Sequence, residues 1–250
     1  MTEESNLTYQ EHACEAYFGL EGSFKRRTYE YVKNKPRLLK KYLEILGCQF
    51  TKVPQIPNIH SAKRILDIGC GPGIVDLYIR DYFNANAEFI GTDIDKNQEL
   101  PHFVTFIKCN IENDPLPFEN NSMDIILSSF VLEHLKDPFK LFVEANRILK
   151  TNGYLYLITE HVRAIFLPDH YNFYQDPTHT RPHTKRSLTI LSRMTGFEIC
   201  FTGIVRLNLV PYLVISPFLP IVDIFLKTKT FPLLISELMG TKVCLIAKKK

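Results

Sequence analysis

The chain has 250 residues, 45% hydrophobic and 23% charged, with a formal net charge of +3. That is enough chain for one α/β domain with additions, and too small a charge imbalance to mark nucleic acid as a partner, which is disfavoured. The six cysteines include no C-x-x-C pair, which excludes a disulfide framework or zinc ribbon and reads as a reduced, cytoplasmic protein; the polar start, Met1 to Asn6, is not a secretory signal.

Residues 24–46 read as a helix with Leu38, Leu39, Tyr42, Leu43 and Leu46 on one apolar side. Pro54 and Pro57 mark a linker, so residues 1–62 are set apart as an N-terminal helical extension and 63–250 as the main domain. Ile65, Leu66 and Ile68 suit a parallel strand covered on both faces. Gly69, Gly71 and Gly73 then form a sharp turn open to a ligand, with Pro72 expected at the start of the next helix. The spacing departs from the dinucleotide fingerprint G-x-G-x-x-G, because the sixth position is Ile74. Asp67, inside the strand end, opposes a bound pyrophosphate and suits a ligand carrying positive charge.

A second strand over 88–95 ends in acids, of which Asp93 lies twenty positions past Gly73, near the offset of an acid that accepts ribose hydroxyls. The gap from Asp95 to Phe103 is too short for a crossover helix, so a turn is expected before the stretch 103–112, which reads as a third strand followed by a loop ending at Leu116, Pro117 and Phe118. A fourth strand over 123–129 runs into Phe130, Val131, Leu132, Glu133 and His134. Asp137 and Pro138 open an amphipathic helix with Leu141, Phe142, Ala145, Ile148 and Leu149 as its stripe, ended by Asn152 and Gly153. Residues 154–159 are the fifth strand. A loop with His161, His170, His179 and His183 follows, then a helix capped by Thr184, a strand over 197–205, an apolar insertion over about 206–240 and a closing strand over 242–247. Within the insertion, 209–222 is apolar but broken by Pro211, Pro217 and Pro220, so it does not span a membrane. It reads as a cover for the core, a homodimer surface, or a patch in peripheral contact with lipid.

The run Ile65 to Gly73, with Asp93, the fourth-strand segment through His134 and the phrase Arg147-Ile148-Leu149-Lys150 before Gly153, resembles the class I S-adenosylmethionine-dependent methyltransferases over roughly residues 63–197 and the closing strand. The resemblance implies a Rossmann-like α/β fold: a seven-stranded, mostly parallel sheet with the last strand antiparallel and helices on both faces. It implies S-adenosylmethionine as cofactor and methyl transfer to a small-molecule acceptor. Asp67, Gly69, Gly71 and Gly73 would shape the methionine side, with Ser129 near it. Asp93 would hold the ribose, and Ile94, Asn110 and Ile111 would meet the adenine; Asn110 stands where the family commonly has aspartate. Leading helices often lie over the cleft in this family, so Tyr17, Phe18, Arg26, Arg27 and Tyr29 are candidates for a substrate wall. His179 is the candidate general base, which transfer to oxygen would need, and His134 is read as packing or capping. No metal is expected: His179 and His183 have i, i+4 spacing, but Pro182 argues against a shared helix face. The alternatives are a protein or RNA methyltransferase, a non-catalytic S-adenosylmethionine-binding protein, and an NAD(P)-dependent oxidoreductase, the last opposed by Asp67 and Ile74.

Overall fold

The computed structural model describes residues 56–98, 100–167, 172–205 and 239–250. The expected helix over 24–46, its candidate wall residues and most of the apolar insertion lie outside these described residues.

Seven strands form one sheet: β1 Arg64–Ile68, β2 Glu88–Asp93, β3 Val104–Lys108, β4 Met123–Ser129, β5 Leu149–Glu160, β6 Phe197–Val205 and β7 Lys242–Lys249. Their order is β3-β2-β1-β4-β5-β7-β6. The pairs from β3 through β5 are parallel, and β7 runs antiparallel between β5 and β6. Three helices are described, α1 Ile74–Tyr82, α2 Pro138–Ile148 and α3 Lys185–Met194.

Alternation along each strand splits the apolar residues between two cores. Ile65, Phe89, Ile125, Tyr156 and Ile246 face one side, where Tyr78 and Ile79 of α1 cover them. Leu66, Ile90, Ile126, Leu155 and Leu245 face the other, under Leu141, Phe142, Ala145 and Ile148 of α2 and Leu188 of α3. Ile56 and Ile59 are buried in the first core, so residues just ahead of β1 belong to the packed body. Asn84, which donates to the carbonyls of Ile59 and Ala62 at 2.8 Å each, holds them there.

The connection from β2 to β3 carries no described helix, as its length requires. α2 begins as expected, with the Asp137 carboxylate accepting from the Phe139 amide at 3.1 Å and Pro138 at the first helical position. It ends two residues early. Leu149 is already paired with Met123 of β4, and Asn152 (φ 66°) and Gly153 sit in an irregularity inside a longer β5. Gly153 packs against the carbonyl of Asp124, where a Cβ would come within 2.9 Å. α3 starts on the expected cap, with Thr184 and Ser187 exchanging side chain-to-backbone hydrogen bonds of 3.1 and 2.9 Å.

β1 has β2 on one side and β4 on the other, so the chain reverses direction of build between β1 and β4. Segments leaving their carboxyl ends part company there and open a crevice.

Candidate active site

The crevice holds a cavity of about 330 Å³, bounded by the carboxyl ends of β1, β2, β3 and β4. Asp67, Gly69, Gly71, Asp93, Ile94, Asn110, Ile111 and Ser129 all line it, although they are spread over 63 positions of sequence. Gly73 and His179 do not line it.

The turn after β1 is built from left-handed backbone. Gly69 has φ 73° and donates to the Thr92 carbonyl at 2.7 Å, tying the elbow to β2. A Cβ on Gly69 would lie 2.1 Å from Val131 Cγ2, so the segment after β4 is pressed against bare backbone. Gly71 (φ 47°) differs: a Cβ there would meet nothing within 4 Å, because this backbone borders the open cavity. Gly73 is the helix N-cap and packs on Leu100 and Pro101, which gives it a role in packing instead of lining. Pro72 therefore stands before the cap and outside α1; left-handed backbone at the alternate positions Gly69, Gly71 and Gly73 starts the helix two residues later than the sequence expectation.

Three acids converge on this elbow. Asp93 ends β2, and its two carboxylate oxygens accept from the Gly71 amide at 3.0 Å and the Ile94 amide at 2.7 Å. It orders both the glycine turn and its own loop. Asp67 is almost wholly buried, and its Oδ1 has no hydrogen-bond partner. Asp76, in the first turn of α1, is fully buried with neither oxygen partnered by a protein donor. The two carboxyl groups meet each other, and two carboxylates can do so favourably only by sharing a proton. Burial, and then the Asp93 charge, push Asp67 up to about 7, and burial followed by Asp67 pushes Asp76 upward as well. Asp76 was not among the sequence-predicted residues. Cys70, between the acids, is packed on Gly91, and burial together with the charges of Asp67, Asp93 and Asp76 raises its thiol far above the ordinary range.

The opposite wall comes from the segments after β3 and β4. Asn110 Oδ1 accepts from the Glu112 amide at 3.0 Å, which spends one of its two lone pairs on shaping the loop. Arg147 of α2 donates to the carbonyls of Leu116 and Phe118 at 2.9 and 2.7 Å and pairs with Glu144, which in turn accepts from the Leu116 amide at 2.8 Å. This clamp fixes the loop that carries Ile111 and Leu116 into the cavity. Phe130 follows Ser129 with φ 57°, a rare conformation for a bulky residue, and its amide donates to Ile158 at 2.9 Å. That geometry turns the chain from β4 toward the cavity and leaves no signal in the sequence.

Beyond Phe130 lies a histidine corner. His134 lines the cavity, and its Nδ1 is 2.8 Å from Thr178 Oγ1. His179 stands behind it, with ring centroids 4.7 Å apart, stacked on Phe173 and with its Nδ1 2.6 Å from the Phe173 carbonyl. His183 is buried elsewhere, bridged through its backbone to Glu160 and His161, so the i, i+4 pair does not share a face.

A family described as "Methyltransferase domain" matches residues 66–157. A Schizosaccharomyces pombe methyltransferase is 35% identical over 111 residues, which cover 39% of this chain and 40% of the relative. The ubiquinone/menaquinone biosynthesis C-methyltransferase UbiE of Rickettsia prowazekii is 32% identical over 137 residues, 49% of this chain and 54% of the relative. The chain thus spans about half or less of the length of these curated relatives. A solved complex of the Haloferax volcanii Trm112 methyltransferase activator with a methyltransferase aligns with TM-score 0.64 at 14% identity, over 97% of this chain and 99% of that one. Among the described residues, no helix is long and apolar enough to cross a membrane.

Proposed function

We propose, for a chain whose residues 66–157 form a class I S-adenosylmethionine-dependent methyltransferase domain, that the protein transfers a methyl group to a small-molecule acceptor held in the same cavity. The observation that carries this reading is the buried acid pair at the elbow: Asp67 borders the cavity and meets Asp76 out of solvent, beside the open space at Gly71. A dinucleotide pyrophosphate would meet repulsion at that point, whereas a cationic ligand would draw the shared proton off the Asp67–Asp76 pair and be held by the charge left behind.

The residues fit the cofactor end to end. Asp67 and the Gly69–Gly71 backbone would hold its methionine part, with Ser129 beside it. Asp93 would accept from the ribose hydroxyls while keeping its two backbone bonds, since a carboxylate has about four acceptor sites. Ile94, Ile111 and the remaining Asn110 lone pair would meet the adenine. When bound, the cofactor supplies a methyl group on a positively charged sulfur, already activated for displacement by an aligned nucleophile. The chain then has to exclude water and hold the acceptor in line, which the fixed walls at Leu116 and Phe130 suit. His179 is assigned no direct proton-transfer role, because its ring stands behind His134 and its Nδ1 is committed to a carbonyl.

The small acceptor is supported by the largely apolar lining of the crevice and by a relative named for a quinone-biosynthesis methyl transfer. Calorimetric titration with S-adenosylmethionine, its demethylated product and NAD tests the reading. Stoichiometric binding of the first two, weakened at least about tenfold by Asp93→Ala, is expected, since two charge-assisted contacts are lost. Binding of NAD alone would overturn the assignment. Labelled-methyl transfer into a metabolite extract, with no label in protein or RNA, is the expected outcome for the acceptor class.

A further inference from the structure

The histidine corner brings a buried carboxyl group and two imidazole rings together. Thr178 donates its one hydroxyl hydrogen to Asp176 Oδ1, so its oxygen accepts from His134 Nδ1–H. The lone pair of a neutral His134 ring is therefore on Nε2. His179 Nδ1 faces the Phe173 carbonyl, which can only accept, so the His179 lone pair is on Nε2 as well. Glu133 is fully buried; its Oε2 accepts from the Thr159 hydroxyl at 2.8 Å, and its Oε1 has no hydrogen-bond partner. One ligand atom from each of these three residues lies within 4.8 Å of the other two.

We propose that Glu133, His134 and His179 form a binding site for one divalent first-row transition-metal ion at the rim of the cavity. Two imidazole nitrogens and one carboxylate oxygen are the donor set such ions prefer, while magnesium and calcium favour all-oxygen shells. Each ligand is oriented by an outer partner, Thr159 for Glu133, Thr178 for His134 and the Phe173 carbonyl for His179, as metal ligands require. Donors around a tetrahedral zinc ion stand about 3.4 Å apart for bonds near 2.1 Å, so the group needs only a modest closure. The two segments that carry it are clamped. Thr180 donates through its amide to the Glu133 carbonyl at 2.8 Å, and through its hydroxyl to the carbonyls of Glu133 and Leu135 at 2.9 Å each. Asp176 Oδ2, 3.8 Å from His179 Nε2, adds negative charge beside the ion. Of the three ligands, His134 also lines the cavity.

The sequence reading weighed only His179 with His183. The fold instead sets His179 beside a pair 45 and 46 positions upstream. The inference rests on these ligands alone and not on the methyl-transfer reading.

The full chain, stripped of metal by chelation and dialysed, is titrated with zinc, manganese and cobalt chlorides by calorimetry, with cobalt absorption bands as a second readout. One ion per chain with micromolar or tighter affinity is expected. His179→Ala should weaken it at least about a hundredfold and Thr178→Val about tenfold. His179 is partly exposed, so its variant should fold; Glu133→Gln, melting within a few degrees of the parent, is the second variant and should also lose the ion. Absence of stoichiometric binding, or binding unchanged in His179→Ala and Glu133→Gln, overturns the site. S-adenosylmethionine titrated into the same metal-free sample keeps the two readings apart, since either ligand can bind while the other fails.

Discussion

Gly69 and Gly71 sit two residues apart with similar backbone angles, yet they should respond differently to the same added methyl group. In Gly69→Ala the new Cβ lies 2.1 Å from Val131 Cγ2, against an ordinary carbon contact of about 3.5–4.0 Å. Overpacking of this kind costs about 1–3 kcal/mol, and the left-handed backbone (φ 73°) adds about 1–2 kcal/mol for a residue with a side chain. The sum, about 2–5 kcal/mol, corresponds to a fall in melting temperature of order 10 °C for a chain of this size. In Gly71→Ala only the backbone cost of about 1–2 kcal/mol applies, since no atom lies within 4 Å of the new Cβ. That Cβ projects into the cavity, so donor binding should fall sharply while folding is nearly kept. Thermal melts and calorimetric titration with S-adenosylmethionine measure both effects. Val131→Ala leaves the nearest Val131 atom at 3.4 Å, an ordinary distance, so in the Gly69→Ala background it should recover about 1–3 kcal/mol that it does not yield alone. Equal melting temperatures for the two alanine variants, or no coupling between Gly69→Ala and Val131→Ala, would refute the contact argument.

Asp67, raised to about 7 from an ordinary value of 3.8, binds more protons in the folded than in the unfolded chain between those pH values. The Asp67 contribution to stability should therefore be lost as pH rises from about 4 through 7, against an opposite contribution from His134 and His183, which burial lowers to about 4. Asp76→Asn removes one of the two titrating groups and offers Asp67 an amide donor, so the urea midpoint should drop less between pH 5 and pH 8 than in the parent. Arg147→Met loses the bonds to Leu116 and Phe118 and leaves Glu144 without its cation; a loss of about 2 kcal/mol and faster hydrogen exchange over 112–118 are expected. Thr184→Ala removes the cap of α3 and should cost about 1 kcal/mol in chemical denaturation.

The sheet was legible because its strands are short apolar runs broken by glycine, asparagine and aspartate, and the family resemblance implied their number and the antiparallel last strand. Asp67, Asp93 and the glycines were legible because each carries its chemistry in its residue type. Asp76 was not: an acid in the first turn of an amphipathic helix reads as solvated, and its burial depends on how α1 docks over β1. The strained Phe130 looks in sequence like an ordinary apolar residue after a strand. The meeting of Glu133 and His134 with His179 depends on Thr180 pinning one loop to another, a tertiary bond that no local pattern announces. Asn152 and Gly153 were a sound turn signal attached to the wrong element, because cross-strand pairing of Leu149 outweighed the last half-turn of α2.

Cys70 and Cys109 both border the cavity proposed to receive a potent alkylating reagent. A thiolate there would be an efficient scavenger of the methyl group, and the enzyme would inactivate itself. Burial raises both thiols, with nearby acid charges adding to the effect, and so withholds the nucleophilic form. At Cys70 the elbow acids proposed to attract the donor add to burial in withholding the thiolate; at Cys109 the added charges are those of Asp114 and Glu144.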